Sequence, residues 1–133
     1  MTFHYEIVGL YRYGFIVAVR PTPKRLQRRI KKAVGAAVDI DQLWVGAGKS
    51  LTLQCENGGF IEIVLLKETS ANTIAHECVH AAENMLDHAG VKHSPDNHEA
   101  LAYLVGYLAE ICDNVVKTHN KNKKKGKKKG KKK

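Results

Sequence analysis

Residues 60–80, FIEIVLLKETSANTIAHECVH, decide the fold. The first seven are mostly β-branched or apolar and predict a largely buried strand. Thr69 or Ser70 can then cap a helix that runs from about Ala71 to about Ala89 and is closed by Gly90. A strand followed closely by an amphipathic helix indicates a sheet with that helix packed on it.

Further elements are predicted on both sides of this stretch. Residues 13–19 form an apolar strand, and Pro23 starts a helix that runs to about Val34. Residues 51–56 pair with 60–66 through Asn57-Gly58-Gly59, which is a strong hairpin signal. The final helix spans Glu99 to about Val116. We therefore expect an α+β fold in which a small antiparallel or mixed sheet packs on the motif helix and on a C-terminal helix.

The charge of the chain is divided unevenly along its 133 residues. Residues 117–133 contain 11 lysines and no acid, whereas residues 1–116 have 11 Lys and Arg against 13 Asp and Glu, a net charge of −2. A lysine segment with interspersed glycine and asparagine cannot bury apolar surface. The chain is predicted to have a folded domain at 1–116 and a disordered tail at 117–133.

The first helix carries a local excess of positive charge. Its outward side is basic, and this pattern is typical of a solvated amphipathic helix or of a nucleic-acid contact surface. The residues concerned are Lys24, Arg25, Arg28, Arg29, Lys31 and Lys32.

The three cysteines and the lack of long apolar segments indicate in which cellular compartment the protein is found. An odd number of cysteines without a close pair favours a reducing environment, and Cys78 is expected to be a small core residue. No signal peptide and no membrane-spanning stretch are visible. We expect a soluble, intracellular protein with no membrane partner.

One glycine-containing segment matches the phosphate-binding loop of nucleotide sites only in part. Gly48-Lys49-Ser50 matches the end of a phosphate-binding loop, yet Leu43 stands where its first glycine is required and no helix pattern follows. Nucleotide binding is excluded on this ground.

The segment His76-Glu77-Cys78-Val79-His80 has the spacing of a metal site. Residues four apart on a helix lie about 40° apart on one face, so both imidazoles can bind one metal ion. Glu77 lies about 100° from His76 around the helix axis. From there its carboxylate can reach a metal-bound water without binding the metal. Two neutral nitrogen ligands, an open position and an adjacent base are what zinc-assisted hydrolysis requires.

A catalytic zinc usually has a third protein ligand. The best candidate is Glu99, about twenty residues after His80, which would complete a His-His-Glu set. A tight antiparallel helix pair would instead place Glu99 level with the mid-eighties, so the helices must cross at an angle or the first must end early. The alternatives to Glu99 are His88, His93 and His98.

Two further residues could support this site. Glu83 lies on the same helix face as the histidines and suits the orientation of an imidazole from outside the metal's ligand set. Tyr103, one turn after Glu99, either hydrogen-bonds the ligand, stabilises a tetrahedral oxyanion, or simply packs.

Residues 74–81, IAHECVHA, and 93–104, HSPDNHEALAYL, resemble a family of small bacteriophage and prophage proteins labelled as zincin-type metallopeptidases. The resemblance covers about residues 60–112. It implies a minimal zincin-like domain with His76 and His80 as zinc ligands, Glu77 as the base and Glu99 as the third ligand. It also implies action in the bacterial host cytoplasm or in association with the virion.

We therefore predict a Zn²⁺-dependent metallopeptidase that acts on a protein or peptide, with the strand at 60–66 as the sheet edge that an extended substrate joins. The alternative is a catalytically inactive, metal-stabilised binding or virion-associated protein. In either case the tail is a solubilising appendage or a non-specific contact to nucleic acid. The tail residues proposed for that contact are Lys123, Lys124, Lys125, Lys127, Lys128 and Lys129.

Overall fold

The computed structural model describes residues 1–8, 13–35, 37–43, 46–55, 59–92 and 94–131. The strands are β1 (Thr2–Val8), β2 (Tyr13–Val19), β3 (Gly48–Gln54) and β4 (Phe60–Leu66). The α-helices are α1 (Pro23–Val34), α2 (Ala71–His88) and α3 (His98–Gly130), and a short 3₁₀ helix spans Ile40–Leu43. The predicted α+β class is confirmed, whereas β1 was not predicted.

The four strands form one mixed sheet in the order β1-β2-β4-β3. β2 runs parallel to β4, and the two outer pairs, β1 with β2 and β3 with β4, are antiparallel. The predicted hairpin is present, with Gln54 opposite Phe60. Its short connection places β3 beside β4, and β2 occupies the other side of β4. The prediction that residues 60–66 form the substrate edge is therefore wrong, and the edge strand next to α2 is β3.

Helices cover both faces of the sheet because successive strand residues point to opposite sides. On one face, α1 buries Leu26 and Ile30 completely against Ile16 and its even-numbered neighbours in β2. On the other face, α2 and α3 pack on Phe15 and the odd-numbered residues of β2. The sheet thus separates the outward surface of α1 from that of α2.

Local signals fix the ends of α2. The side chain of Ser70 accepts a hydrogen bond from the backbone N–H of Thr73 at 3.2 Å, which caps the helix as predicted. Gly90 has a φ of 77°, a conformation that side chains disfavour, and it closes the helix just after His88. The cap places the histidine motif in the first turns of α2.

Helices α2 and α3 pack antiparallel through a pair of buried thiols. The Sγ atoms of Cys78 and Cys112 are 3.7 Å apart, and both residues are fully buried. At the other end of the pair, Leu86 and Leu101 line a common cavity of about 280 Å³. Cys78 is therefore the core residue that the sequence predicts.

Helix α3 continues through the lysine segment, where the sequence predicts disorder. Its last buried residue in the described range is Val116, and the lysines from Lys117 to Lys131 are exposed. The helix extends because the buried part supplies the nucleus, each further residue adds one backbone hydrogen bond, and lysine is a good helix former. In the described ranges no helix combines the length and apolar character that crossing a bilayer requires.

Candidate metal centre

Helix α2 presents His76 and His80 one turn apart on its exposed side, as predicted. The centroids of the two imidazole rings are 4.8 Å apart, and the ring planes are inclined at 75°. Two imidazoles that bind one tetrahedral zinc through bonds of about 2.0–2.1 Å have centroids roughly 5 Å apart. The spacing of the pair therefore fits a shared zinc ion.

Glu77 lies beside this pair, where α2 meets β3. Its Oε1 is 4.0 Å from Nε2 of His76. Glu77 is only 7% exposed, whereas the His76 side chain is 65% exposed. The carboxylate thus approaches the imidazole from the protected side, a position suited to a base that takes a proton from a water near the histidines.

The backbone of β3 comes very close to α2 at Gly48. A Cβ atom at this position would lie 2.9 Å from Cγ of Glu77 and 2.9 Å from Cγ2 of Thr73. Glycine is required for this approach, which keeps Glu77 against the edge strand. In the sequence Gly48 belongs to a segment that ends like a phosphate-binding loop, and its contact with Glu77 was not predicted. A glycine inside a strand, which is typical of close backbone contact, is the signal that identifies it.

Glu99 is not brought to the imidazole pair. Because Cys78 lies beside Cys112 in an antiparallel pair of helices, the position level with His80 is near residue 110. Glu99 is eleven positions nearer the start of α3, roughly 16 Å along the axis at ~1.5 Å per residue. Its carboxylate is 72% exposed and lies 3.6 Å from Nε2 of His98. Helix α2 extends two turns beyond His80, so the early termination that would bring Glu99 nearer does not occur.

Tyr103 and Glu83 also lie apart from the histidines. Tyr103 is 78% exposed on α3, in the same half of the helix as Glu99. Glu83 is exposed on the same face of α2 as His80. In the described part of the chain it forms no hydrogen bond or ion pair with either imidazole. Among the described residues, no contact with the histidines supports the roles predicted for Tyr103 and Glu83.

The alternative histidine ligands are engaged elsewhere or lie outside the described residues. Nδ1 of His88 bonds to the carbonyl of Asn84 at 2.8 Å, and Nδ1 of His98 bonds to the carbonyl of Pro95. His93 lies outside the described residues. Over the described ranges, no three His, Cys, Asp or Glu side chains form a group that could hold a metal ion. The structure assembles two imidazoles and one neighbouring carboxylate.

A buried carboxyl group beneath α2 was not identified from the sequence. Glu62 of β4 is fully buried and accepts hydrogen bonds from the hydroxyls of Ser50 at 2.7 Å and Thr52 at 2.6 Å. The amide of Asn84 donates a third at 2.9 Å, which ties α2 to the sheet one turn after His80. Burial raises the pKa of Glu62 above its usual range. An acid within an otherwise apolar strand is the sequence signal for such a group.

Aromatic rings surround this carboxyl group. Tyr13 stacks on Phe60 with ring centroids 6.4 Å apart, and His88 packs on Phe60 at 4.2 Å. The buried hydroxyl of Tyr13 has no hydrogen-bond partner among the residues described. Burial, and then the negative charge of Glu62, raise the pKa of Tyr13. The second half of α2 therefore rests on a mixed polar and aromatic cluster rather than on aliphatic side chains alone.

No protein-family model, no curated protein and no solved structure matches this chain. Its function is therefore inferred from the site itself.

Proposed function

We propose that the chain is a zinc-dependent metallopeptidase that hydrolyses peptide bonds. The observation that carries this proposal is the pairing of His76 and His80 at 4.8 Å, with the carboxylate of Glu77 4.0 Å from His76. A zinc ion held by the two histidines would supply a Lewis acid that polarises a carbonyl and lowers the pKa of water towards about 7.

The side chains of the site have separate roles in the proposed reaction. His76 and His80 would hold the zinc ion through neutral imidazole nitrogens. Glu77 accepts a proton from the attacking water and delivers it to the leaving amine. Its burial against Gly48 restricts its rotation and keeps the carboxylate beside the reacting groups.

The edge strand β3 suits an extended peptide substrate. Within the described sheet β3 is an edge strand beside β4, which is the position at which an extended peptide can add as a further strand. It passes Glu77 at Gly48. A peptide paired along β3 would therefore bring its own backbone to the base.

The proposed ligands are the two histidines, which the structure brings together. Glu99 lies roughly 16 Å along α3 from the position level with His80, so the ligand role predicted for it is tested separately from theirs.

Zinc binding by equilibrium dialysis tests the ligand set. The wild type is expected to bind one zinc ion per chain, and His76→Ala and His80→Ala are expected to lose it. Glu99→Ala tests the predicted third ligand, and Asp96→Ala, an exposed acid three residues earlier, is the matched control; equal zinc binding in both variants would remove Glu99 from the ligand set. A histidine variant that binds zinc as tightly as the wild type would remove the basis of the proposal.

A second candidate function is a metal-stabilised binding or virion-associated protein that contacts nucleic acid through its tail. This is favoured by the lysines between Lys117 and Lys131, which are exposed and lie outside the hydrophobic clusters of the described residues. Such a surface would bind polyanions without sequence preference and with strong salt dependence. A band shift that disappears when Lys123, Lys124, Lys125, Lys127, Lys128 and Lys129 are replaced by glutamine, in a chain without peptidase activity, would favour it.

The proposed setting is the cytoplasm of a bacterial host, or a virus particle. The resemblance to phage and prophage proteins supports this setting, as do three cysteines that are all free in the structure. The proposed substrate is a protein or peptide in that setting.

A further inference from the structure

The outward face of α1 carries six cations that the peptidase proposal does not use. They are all exposed and cover an arc of about 160° opposite the buried Leu26 and Ile30. In the part of the chain that the structure describes, none has an acidic partner within 4.0 Å. The six residues, which we call the α1 cations, are Lys24, Arg25, Arg28, Arg29, Lys31 and Lys32.

The rest of the folded body has the opposite charge. Residues 1–116 contain 11 Lys and Arg, of which six are the α1 cations, so the other five face 13 Asp and Glu, a net charge of −8. Within residues 1–116, a polyanion is therefore attracted to α1 more than to the remainder of the body. The lysines that follow on α3 form a second basic surface, so the test must distinguish the two.

An aromatic side chain lies beside the α1 cations. Phe3 and Tyr5 of β1 are on the same sheet face as α1, and Cζ of Arg29 lies 5.0 Å from the centroid of the Phe3 ring. Tyr5 lies over β2 at Gly14, where a Cβ atom would come within 3.3 Å of the tyrosine ring. Tyr5 is 37% exposed. A groove of about 380 Å³ joins the two elements, and its lining residues are Phe3, His4, Tyr5, Arg29, Lys32 and Ala33.

We propose that this groove binds single-stranded nucleic acid. Arg29 and Lys32 would contact phosphates while a base stacks on the exposed part of Tyr5, which is the combination that single-strand binding surfaces use. A duplex has no unstacked base to offer to Tyr5 and would contact the cations alone. The partner is therefore an unpaired DNA or RNA strand, and the proposal does not depend on zinc or on the histidine pair.

Fluorescence anisotropy with the full chain and labelled oligonucleotides tests the groove. The probes are a thymidylate strand and a uridylate strand of about fifteen nucleotides, and a duplex of equal length. Tyr5→Leu is expected to weaken binding of the single strands at least fivefold, with the salt dependence unchanged. The matched control is Tyr107→Leu, a 44% exposed tyrosine on the opposite side of the sheet.

Charge neutralisation gives a second, independent readout. Arg29→Gln combined with Lys32→Gln should reduce the slope of log affinity against log salt by about 1.4, because each phosphate contact on a single strand contributes about 0.7. Lys67→Gln combined with Lys92→Gln is the control for lost charge elsewhere on the body. Circular dichroism establishes that each variant is folded.

Photo-crosslinking of the wild type keeps the proposal testable if a variant fails to fold. A strand that contains brominated uracil should form an adduct on β1 or α1, with Tyr5 as the expected position. Adducts confined to residues 117–133 would overturn the proposal. So would wild-type affinity in Tyr5→Leu, an equal loss of duplex and single-strand binding in that variant, or a preference for anionic lipid vesicles over the oligonucleotides.

Discussion

Helices α1 and α2 pack on opposite faces of one sheet, and they differ in what their outward surfaces need from the rest of the molecule. The α1 cations act over several ångströms and add to one another, so one helix suffices to build the surface. The histidine pair on α2 needs donors at about 2 Å from a common point, and a further ligand must come from another segment. A charged surface is thus a property of one helix, whereas a coordination site depends on how several elements converge.

The largest expected effect separates the chemistry of α2 from the charge of α1. Glu77→Gln should lower the rate of peptide cleavage at least a hundredfold, because it removes the proton acceptor beside His76, and zinc binding should be retained. The measurements are cleavage of a self-quenched, unfolded protein substrate and zinc content by mass spectrometry. Full activity in Glu77→Gln would contradict the assigned role, and oligonucleotide binding through α1 should not change in either case.

The close contact of α2 with β3 predicts a loss of stability when Gly48 is replaced. Gly48→Ala should lower the free energy of unfolding by about 1–3 kcal/mol, because the new methyl group meets Glu77 and Thr73 at 2.9 Å. Urea denaturation measures this change. Gly46→Ala is the control, since no atom lies within 4 Å of a Cβ there, and an equal loss in both variants would contradict the contact.

The buried Glu62 beneath α2 predicts a dependence of stability on pH. Its pKa is raised in the folded state, so the fold favours the neutral carboxyl, and stability falls as the pH rises from the ordinary value near 4.3 through the folded pKa. Glu62→Gln should remove this loss of stability. The variant should therefore exceed the wild type in stability by the largest amount at the upper end of that pH range. Thermal unfolding between acidic and neutral pH measures the difference.

The control for this prediction is an exposed carboxylate. Glu68→Gln changes the net charge by the same amount without touching the buried cluster. A parallel shift in Glu68→Gln and Glu62→Gln at every pH would show that net charge, rather than burial of Glu62, sets the dependence.

The smallest expected effect is the loss of a helix cap, which can be compared between the first turns of α1 and α2. Ser70→Ala should cost about 1 kcal/mol, since its side chain accepts a hydrogen bond from Thr73, whereas Thr22 before α1 makes no such bond. Thr22→Ala should therefore change the free energy of unfolding much less. Equal losses in chemical denaturation would mean that hydrogen bonding by the cap does not distinguish the two helices.

Much of the fold was predictable because its signals are local. The bounds of β2, α1 and β4 match the predicted ranges, and the caps at Ser70 and Gly90 bound α2 as expected. The strand β1 was missed although Phe3, Tyr5 and Ile7 alternate with polar residues, a pattern typical of a half-buried strand. The helical continuation of α3 beyond Val116 was missed because composition describes what a segment can bury, not whether an existing helix extends through it.

The candidate site was predictable only in part, for the same reason. His76, Glu77 and His80 are placed by helical periodicity alone, and the structure brings them together. The contact of Gly48 with Glu77 and the three bonds to Glu62 join residues that are distant in sequence, so no local pattern encodes them.

The sequence by itself determined which side chains share a helix face, because α-helical geometry fixes residues three and four apart. The paired imidazoles of α2 and the α1 cations follow from that rule. Only the tertiary structure decided that the two helices lie on opposite sides of the sheet, that β3 rather than β4 forms the edge, and that Glu99 lies far along α3 from His80. These relations depend on strand order and on the register of α2 against α3, which are set by packing between distant segments.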